Sequence, residues 1–283
     1  PPAAPLPSFG IERIRTTNDA LQVDLDVGGE AVRRVFTVQD FDLLVGRVLE
    51  MLERLDDEDQ SPRTHAHMVI ALRALADVTP AGPVADRLEK LIRRSLDHII
   101  EKQEPNGGWS YSYSGKPSHV YSAGGVKTTE FPDRQYTIDA AVPGIALSLA
   151  AADGDERCLA AARSALRFFE ETIGRVEWNG MRVWRLYPED DKTIKQGTAV
   201  NYELWAAFFF AALARAIPGD EAVSRLRQYV DDCVGYAESH TRPTGDIAYG
   251  DYVQELRSAY ASWDAYLLAE IAERTGSERA MDL

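Results

Sequence analysis

The chain has 283 residues, 45% hydrophobic and 27% charged, which is typical of a globular protein of one large domain or two small ones. Its formal net charge of −14 argues against nucleic acid and anionic membranes as partners, because both are bound mainly through Lys and Arg. No apolar run reaches the roughly 20 residues that a membrane-spanning helix needs. The two cysteines lack metal-ligand spacing. They leave the compartment open, cytoplasmic or secreted, and the oligomeric state is open too.

Residues 1–39 are predicted to form an extended tail followed by a small β hairpin. Apolar and polar residues alternate from Leu21 to Val27, Gly28-Gly29 follows, and a second stretch runs from Ala31 to Val38. Alternation on both sides of a glycine pair is typical of two antiparallel strands joined by a tight turn. We therefore expect a domain boundary near residue 40, with residues 40–283 forming a helical domain.

The rest of the chain is predicted to be helical, because its apolar residues recur at three- and four-residue steps. The eight predicted helices cover residues 40–56, 62–77, 84–103, 135–152, 156–173, 198–217, 220–240 and 256–275. Two of them, 135–152 and 198–217, are apolar around most of their circumference, so protein must surround them. The helices that directly precede and follow these two carry a single apolar stripe.

Buried and half-exposed helices therefore alternate along the chain. Short links follow a buried helix, and long links precede one. The period is roughly 65–70 residues, which is the signature of a repeat architecture. An inner ring of buried helices inside an outer ring of amphipathic helices satisfies this pattern. We predict an all-α fold, an α/α toroid of about eight helices that forms a partial arc, with the small N-terminal β hairpin added to it.

The long links contain glycine and aromatic residues. The first carries Gln103-Glu-Pro-Asn-Gly-Gly-Trp109, and similar segments recur at residues 179–184 and 244–249. The Gln-x-x-x-Gly-x-Trp pattern is similar to the Gln-Trp motif of terpenoid cyclases. The longer stretch resembles α/α-toroid pectate lyases, with residues 137–141 in place of their Asn-Asp-Gly-Ala-like segment. In outline the chain also resembles glucuronyl epimerases, although their Gln-Gly-Gln motif is absent.

This resemblance covers residues 100–230 and implies a carbohydrate-active enzyme. The implied activity is that of a lyase, epimerase or hydrolase on a uronate-containing or related glycan, so the expected partner is a small-molecule or oligosaccharide substrate. The sequence identifies no cofactor, and zinc motifs and phosphate-binding loops are absent from it, so no metal site is predicted.

Two other functions remain open. The aromatic residues of the long links are equally consistent with a terpenoid-cyclase-like enzyme with an aromatic-lined apolar cavity, because aromatic faces also stabilise carbocations. The acidic motifs of such cyclases are incomplete here, since Asp231-Asp232 lacks a third acid. A toroid that binds a glycan or a protein without catalysis is the other alternative. A rim rich in Trp and Arg favours the sugar enzyme, and a filled centre favours the non-catalytic protein.

Ionisable side chains lie near the start of each predicted inner helix. The expected catalytic residues are Asp139, Glu203, Tyr136 and His67. Two carboxylates across a cavity can divide the acid and base roles in glycoside hydrolysis, whereas in a lyase or epimerase a Tyr, His or Arg transfers the proton. The alternative for each acid is structural, because a carboxylate in a first turn caps free N–H groups. His65 and His67 lie two residues apart, so they point to different sides of a helix.

Aromatic and basic residues of the links are expected to bind the substrate, since rings stack on sugar faces. The expected substrate-binding residues are Trp109, Tyr111, Arg134, Trp184, Tyr202 and Tyr249. Arg134, with Lys127, is the expected cation for a sugar carboxylate. The alternative for the aromatic residues is that they plug the end of the toroid.

Overall fold

A computed structural model describes most of the chain. The described residues are 9–16, 20–27, 30–54, 60–110, 118–121, 127–130, 134–188, 198–250 and 258–283. They divide into two compact units, one made of Pro1–Leu55 with Ala81–Arg87 and the other of Asp56–Pro80 with Leu88–Leu283.

All eight predicted helices are present, each within a few residues of its predicted ends, so the all-α class is confirmed. The helices are α1 (Val38–Glu53), α2 (Pro62–Val78), α3 (Pro83–Glu101), α4 (Thr137–Ala152), α5 (Glu156–Phe168), α6 (Val200–Ala216), α7 (Val223–Ser239), α8 (Ser258–Thr275) and the short α9 (Glu278–Met281). A π-helical turn, Phe169–Ile173, continues α5 to the predicted end of that helix.

The first unit contains a three-stranded antiparallel sheet in the order β1-β2-β3, which precedes α1. Its strands are β1 (Phe9–Thr16), β2 (Ala20–Val27) and β3 (Glu30–Thr37). β2 pairs with β3 from Ala20 opposite Thr37 to Val27 opposite Glu30, which confirms the predicted hairpin. β1 was not predicted as a strand. Its register shifts between Ile11 and Arg13, and such a bulge breaks the strict alternation by which strands are recognised.

The second unit contains two further hairpins within its long links. Their strands are β4 (Ser118–Tyr121), β5 (Lys127–Glu130), β6 (Arg175–Trp178) and β7 (Met181–Trp184). Both pairs are antiparallel. β6 and β7 are joined by Asn179 and Gly180, which have positive φ angles of 48° and 78°, the geometry that a two-residue hairpin turn requires.

Helices α4 and α6 form the centre of the second unit and are buried along almost their whole length, as predicted. The inner helices contact one another in the series α2, α4, α6, α8, while α5 packs against α4 and α7 packs against α6. Gly144 lets α4 and α6 approach closely, because a Cβ atom at this position would lie 2.7 Å from the ring of Phe209. The predicted alternation of inner and outer helices is therefore present.

The inner helices run in parallel. Two ion pairs, Arg63 with Asp139 and Arg73 with Asp153, join α2 to the start and to the end of α4. Trp205 of α6 contacts Trp263 of α8, and three residues further along both helices Phe208 contacts Tyr266. The two helices therefore run in the same direction. The N-terminal ends of the inner helices consequently lie on one side of the unit, which we call the inner mouth.

The long links are attached to the inner helices through their backbone. The N–H of Thr137, the first residue of α4, donates to the carbonyl oxygen of Leu186 at 2.8 Å. The N–H of Val200, the first residue of α6, donates to the carbonyl oxygen of Tyr249 at 2.8 Å. Both N–H groups lack a partner inside their own helix, so α4 and α6 are each capped by the link that follows the next outer helix.

Candidate active site

The inner mouth brings together five side chains from all four inner helices. The imidazole of His67 lies 5.3 Å from the Trp205 ring and 5.8 Å from the Trp263 ring, measured between ring centroids. On the same helix as His67, Arg63 forms an ion pair of 2.9 Å with Asp139. Trp263 is 45% exposed, and His67 and Arg63 are half-buried, so a ligand can reach this cluster.

His67 is uncharged at neutral pH. Burial, together with the nearby positive charge of Arg63, lowers its pKa from 6.5 to about 4. A neutral imidazole can accept a proton, and a pKa of about 4 makes it a weaker base than an ordinary histidine. His65 faces another element, since its Nδ1 lies 3.1 Å from Ser95 Oγ and its ring stacks on His98. The two histidines therefore point to different sides of α2, as their spacing predicted.

Asp139 and Tyr136 lie at the start of α4. Asp139 contributes its carboxylate to the mouth from the first turn, and its side chain is only 3% exposed. Tyr136 is the residue before the helix and is buried, with its ring 5.6 Å from that of Tyr187. The guanidinium of Arg134 lies 4.5 Å above the same Tyr187 ring. Tyr136 meets the Tyr187 ring edge to face, and with Arg134 the two rings form a polar and aromatic wall in front of α4.

Glu203 lies in a different environment from Asp139. Its side chain is fully buried, and its Oε1 accepts a hydrogen bond from the backbone N–H of Trp184 at 2.8 Å. Its Oε2 accepts from the Cys233 thiol at 3.1 Å. Glu203 thus ties β7 and α7 to α6, which is a structural role. The hydrogen bonds of Glu203 and the Arg63 ion pair of Asp139 have no residue in common, and a shared acid–base role for these carboxylates stays a prediction.

The two link tryptophans predicted to bind substrate are packed in the core. Trp109 is 1% exposed, and its indole N–H donates to the carbonyl oxygen of Ile99 at 2.8 Å. Trp184 is equally buried and packs against the rings of Phe169 and Phe210. These contacts support the alternative in which link aromatics fill the interior, and substrate binding by either ring stays a prediction.

The remaining predicted residues occupy varied positions. Tyr202 and Tyr249 are both half-buried, in the first turn of α6 and in the link that caps it. Tyr111 lies outside the described residues. Sequence reasoning missed Arg63 and Trp263. Two signals could have identified them: Arg63 precedes His67 by one helical turn, and Trp263 occupies the same second turn of its helix as Trp205.

A concave region lies on the outer side of the same unit. This groove of about 360 Å³ is lined by Glu170, Arg175, Trp184, Arg225 and Tyr229. Its charges are already compensated, because Arg225 pairs with Glu170 at 2.7 Å and Arg175 pairs with Asp232 at 2.7 Å. The inner mouth is the candidate active site because it places His67 beside the half-exposed ring of Trp263.

Two properties of the described part of the chain bear on other functions. Its His, Cys, Asp and Glu side chains form no group of three or more that could hold a metal ion. None of its helices combines the length and apolarity that a membrane span requires.

The burial of Glu203 predicts a pH-dependent stability. Burial raises its pKa from 4.5 to about 7, so the folded protein binds this proton more tightly than the unfolded chain. The resulting stabilisation of the folded state is fully present below pH 4.5 and is lost as the pH rises to about 7. The full pKa shift corresponds to up to about 3 kcal/mol in the free energy of unfolding. Glu203→Gln should therefore flatten the pH dependence of the free energy of unfolding between these values, as measured by urea denaturation.

The exposed carboxylate of Glu177 provides the control for this prediction. Glu177→Gln should leave the pH dependence as in the wild type. Some slope should remain in Glu203→Gln, because burial also raises the pKa of Asp264 to about 7. A slope identical to that of the wild type would contradict the assignment to Glu203.

Comparison with known proteins shows a similarity of fold. No protein-family model matches the chain, and no curated protein matches it in sequence. The structure is similar to a solved crystal structure described as a sugar epimerase from a ruminal bacterium, with a TM-score of 0.50 and 18% sequence identity. The match covers 81% of this chain and 59% of that one, so the chain spans less than two thirds of that protein's length. The similarity is therefore one of fold.

Proposed function

We propose that the protein is a carbohydrate-active enzyme, specifically a sugar epimerase, with the inner mouth as its active site. The observation that carries the proposal is a neutral, half-buried His67 in contact with the half-exposed ring of Trp263. A base beside an accessible aromatic face is suited to a sugar, because the ring packs on the C–H face of the sugar while the base reaches one of its hydrogens.

The proposed reaction is a proton exchange at a carbon next to a carbonyl or carboxyl group. His67 takes the hydrogen as a proton, and the electrons of the broken C–H bond move into the neighbouring C=O group. A proton from solvent then adds to the opposite face of the carbon as the electrons move back, which gives the epimer, and His67 releases its proton to solvent. No atom or electron is gained or lost overall. Trp263 would hold the sugar ring during the exchange.

Contacts in the mouth favour this reaction over glycoside hydrolysis and terpenoid cyclisation. A hydrolase needs two carboxylates that face the same bond, whereas Asp139 is paired with Arg63 and Glu203 is buried against Cys233. A terpenoid cyclase needs an apolar cavity with few donors, and the mouth contains a charged Arg63. A lyase would share the first proton abstraction with an epimerase and then expel a leaving group from the neighbouring carbon.

The proposal is tested by proton exchange with solvent. The wild-type protein is incubated in D₂O with a panel of reducing mono- and disaccharides and uronate oligosaccharides, and the products are analysed by NMR. We expect deuterium to appear at one sugar carbon together with the second epimer. A new double bond would identify a lyase, and a new reducing end a hydrolase. Conversion of a prenyl diphosphate without exchange into any sugar would overturn the proposal in favour of a terpenoid cyclase.

A further inference from the structure

We infer that the groove on the outer side of the second unit binds a neutral sugar, separately from the inner mouth. The groove is lined by Glu170, Arg175, Trp184, Arg225 and Tyr229 and has a volume of about 360 Å³. This volume lies within the range of about 300–1,000 Å³ that is usual for small-molecule sites. The groove and the inner mouth have no residue in common, so the inference does not depend on the proposed function.

Neighbouring elements hold the polar groups of the groove in fixed positions. Glu170 lies in the π-helical turn that continues α5, and Arg225 and Tyr229 lie one turn apart on α7, where side chains four residues apart are neighbours. Glu170 Oε1 accepts hydrogen bonds from Arg225 Nε at 2.7 Å and from the Tyr229 hydroxyl at 3.0 Å. A ligand would therefore meet a carboxylate and a guanidinium that are already ordered, which lowers the entropic cost of binding.

These hydrogen bonds leave both donors and acceptors for a ligand. Arg225 bonds through its Nε, and its two Nη groups have no partner in the described part of the chain, while its side chain is 51% exposed. Glu170 bonds through Oε1, and its Oε2 likewise has no partner among the residues that the structure describes. A sugar hydroxyl both donates and accepts hydrogen bonds. Two adjacent hydroxyls of a sugar can therefore bond to the carboxylate and the guanidinium at the same time.

Two buried donor groups of the groove lining provide a second, independent observation. Trp184 is 1% exposed, and its indole Nε1 has no hydrogen-bond partner among the described residues. Arg175 Nε is also buried without a partner there, although Nη2 of the same side chain pairs with Asp232 at 2.7 Å. Unpaired buried donors are uncommon in folded proteins, so each calls for an acceptor. The hydroxyl oxygens of a sugar would supply these acceptors after a small movement of the groove wall.

The charges of the groove favour a neutral ligand. Its two arginines are each paired with a carboxylate, Arg225 with Glu170 and Arg175 with Asp232, both at 2.7 Å. A phosphate or carboxylate ligand would have to compete with these acids for the same guanidinium groups, and the formal net charge of −14 repels it further. The two aromatic rings of the lining lie 5.2 Å apart between centroids and provide an apolar surface, which suits the C–H groups of a sugar.

The indole N–H signals of the ¹⁵N-labelled protein test the inference, because they report on the two sites separately. The chain has five tryptophans, of which Trp184 lines the groove while Trp205 and Trp263 lie at the inner mouth. The signals are assigned by replacing each tryptophan in turn with phenylalanine. The protein is then titrated with neutral trisaccharides of glucose, mannose or galactose, and with glucuronate and inorganic phosphate as charged comparisons. We expect a saturable shift of the Trp184 signal with a neutral sugar and none with the two anions.

Two variants remove the groups that are assigned to the sugar. Arg225→Gln and Glu170→Gln should each raise the Kd measured at the Trp184 signal about 10-fold or more, the usual effect of losing a hydrogen bond to a charged group. The matched control is Arg157→Gln, which breaks an exposed ion pair of 3.0 Å between α5 and Asp97 of α3. Arg157→Gln should leave the Kd unchanged. The side chain of Arg225 is half-exposed, so Arg225→Gln should keep the wild-type melting temperature.

The possible outcomes separate this inference from the proposed function. A Trp184 signal that responds to none of the neutral sugars, or a Kd that both Arg225→Gln and Glu170→Gln leave intact, would overturn the sugar site in the groove. A response of Trp184 to phosphate or glucuronate in place of the neutral sugars would overturn it in favour of an anion site. Shifts confined to Trp205 and Trp263 would overturn the groove site while the inner mouth remains supported. A groove that binds sugar in a protein without deuterium exchange would support this inference and overturn the epimerase.

Discussion

Replacing His67 with glutamine is expected to lower the rate of sugar exchange about 10²–10⁴-fold, the usual contribution of a general base. Glutamine retains the polarity of the side chain and much of its size, but it cannot accept a proton at neutral pH. The ring of His67 contacts Trp205 and Trp263 at the inner mouth, where a substrate can reach it. Because its pKa is about 4, the wild-type rate should not fall from loss of this base until the pH approaches that value.

The measurement is the initial rate of deuterium incorporation for the wild type and the variant, from pH 4 to 8. His240→Gln is a suitable control, since that half-buried histidine lies at the end of α7 against the ring of Tyr236. It should retain the wild-type rate. A fully active His67→Gln enzyme with the wild-type melting temperature would remove His67 from the mechanism.

Replacing Trp109 with alanine is expected to destabilise the protein by about 3–5 kcal/mol, the usual cost of truncating a large buried aromatic side chain. The ring is almost completely buried, and alanine also removes the hydrogen bond from its indole N–H to the Ile99 carbonyl. Trp263→Ala should have the opposite profile. Its ring is 45% exposed, so stability should change little while KM for the sugar rises.

Urea denaturation and steady-state kinetics of both tryptophan variants separate structural from substrate-binding roles. If Trp109→Ala had near-wild-type stability and a strongly raised KM, Trp109 would belong to the substrate site, as the Gln-x-x-x-Gly-x-Trp motif suggested. If Trp263→Ala left KM unchanged, the accessible ring of the inner mouth would have no part in binding.

The sequence predicts the helices of this protein well because their apolar periodicity is strong. It also predicts how far along a helix a side chain lies, and both Asp139 and Glu203 are correctly expected in a first turn. It does not predict which neighbouring element the side chain faces, because successive residues of a helix point in directions about 100° apart around its axis. Asp139 pairs with α2 at the mouth, whereas Glu203 bonds to β7 and α7.

The mouth cluster itself depends on contacts between distant parts of the chain. His67 and Trp263 meet only because α2 and α8, at opposite ends of the inner series, both approach the N-terminal half of α6 at Trp205. The apolar periodicity within either helix does not predict this contact between His67 and Trp263. Trp109 illustrates the reverse problem, since a tryptophan beside two glycines suggests an exposed link until its burial is known.

The attachment of the links to α4 and α6 has a consequence for how such a protein can diversify. The carbonyl groups of Leu186 and Tyr249 that cap these helices belong to the main chain, which every amino acid supplies equally. Exposed side chains of the links can therefore be exchanged, by evolution or in the laboratory, without detaching the links from the helices that hold them. A library that randomises the exposed link positions and keeps the backbone length of these two connections should yield mostly folded proteins, so that selection would act on ligand preference separately from the scaffold.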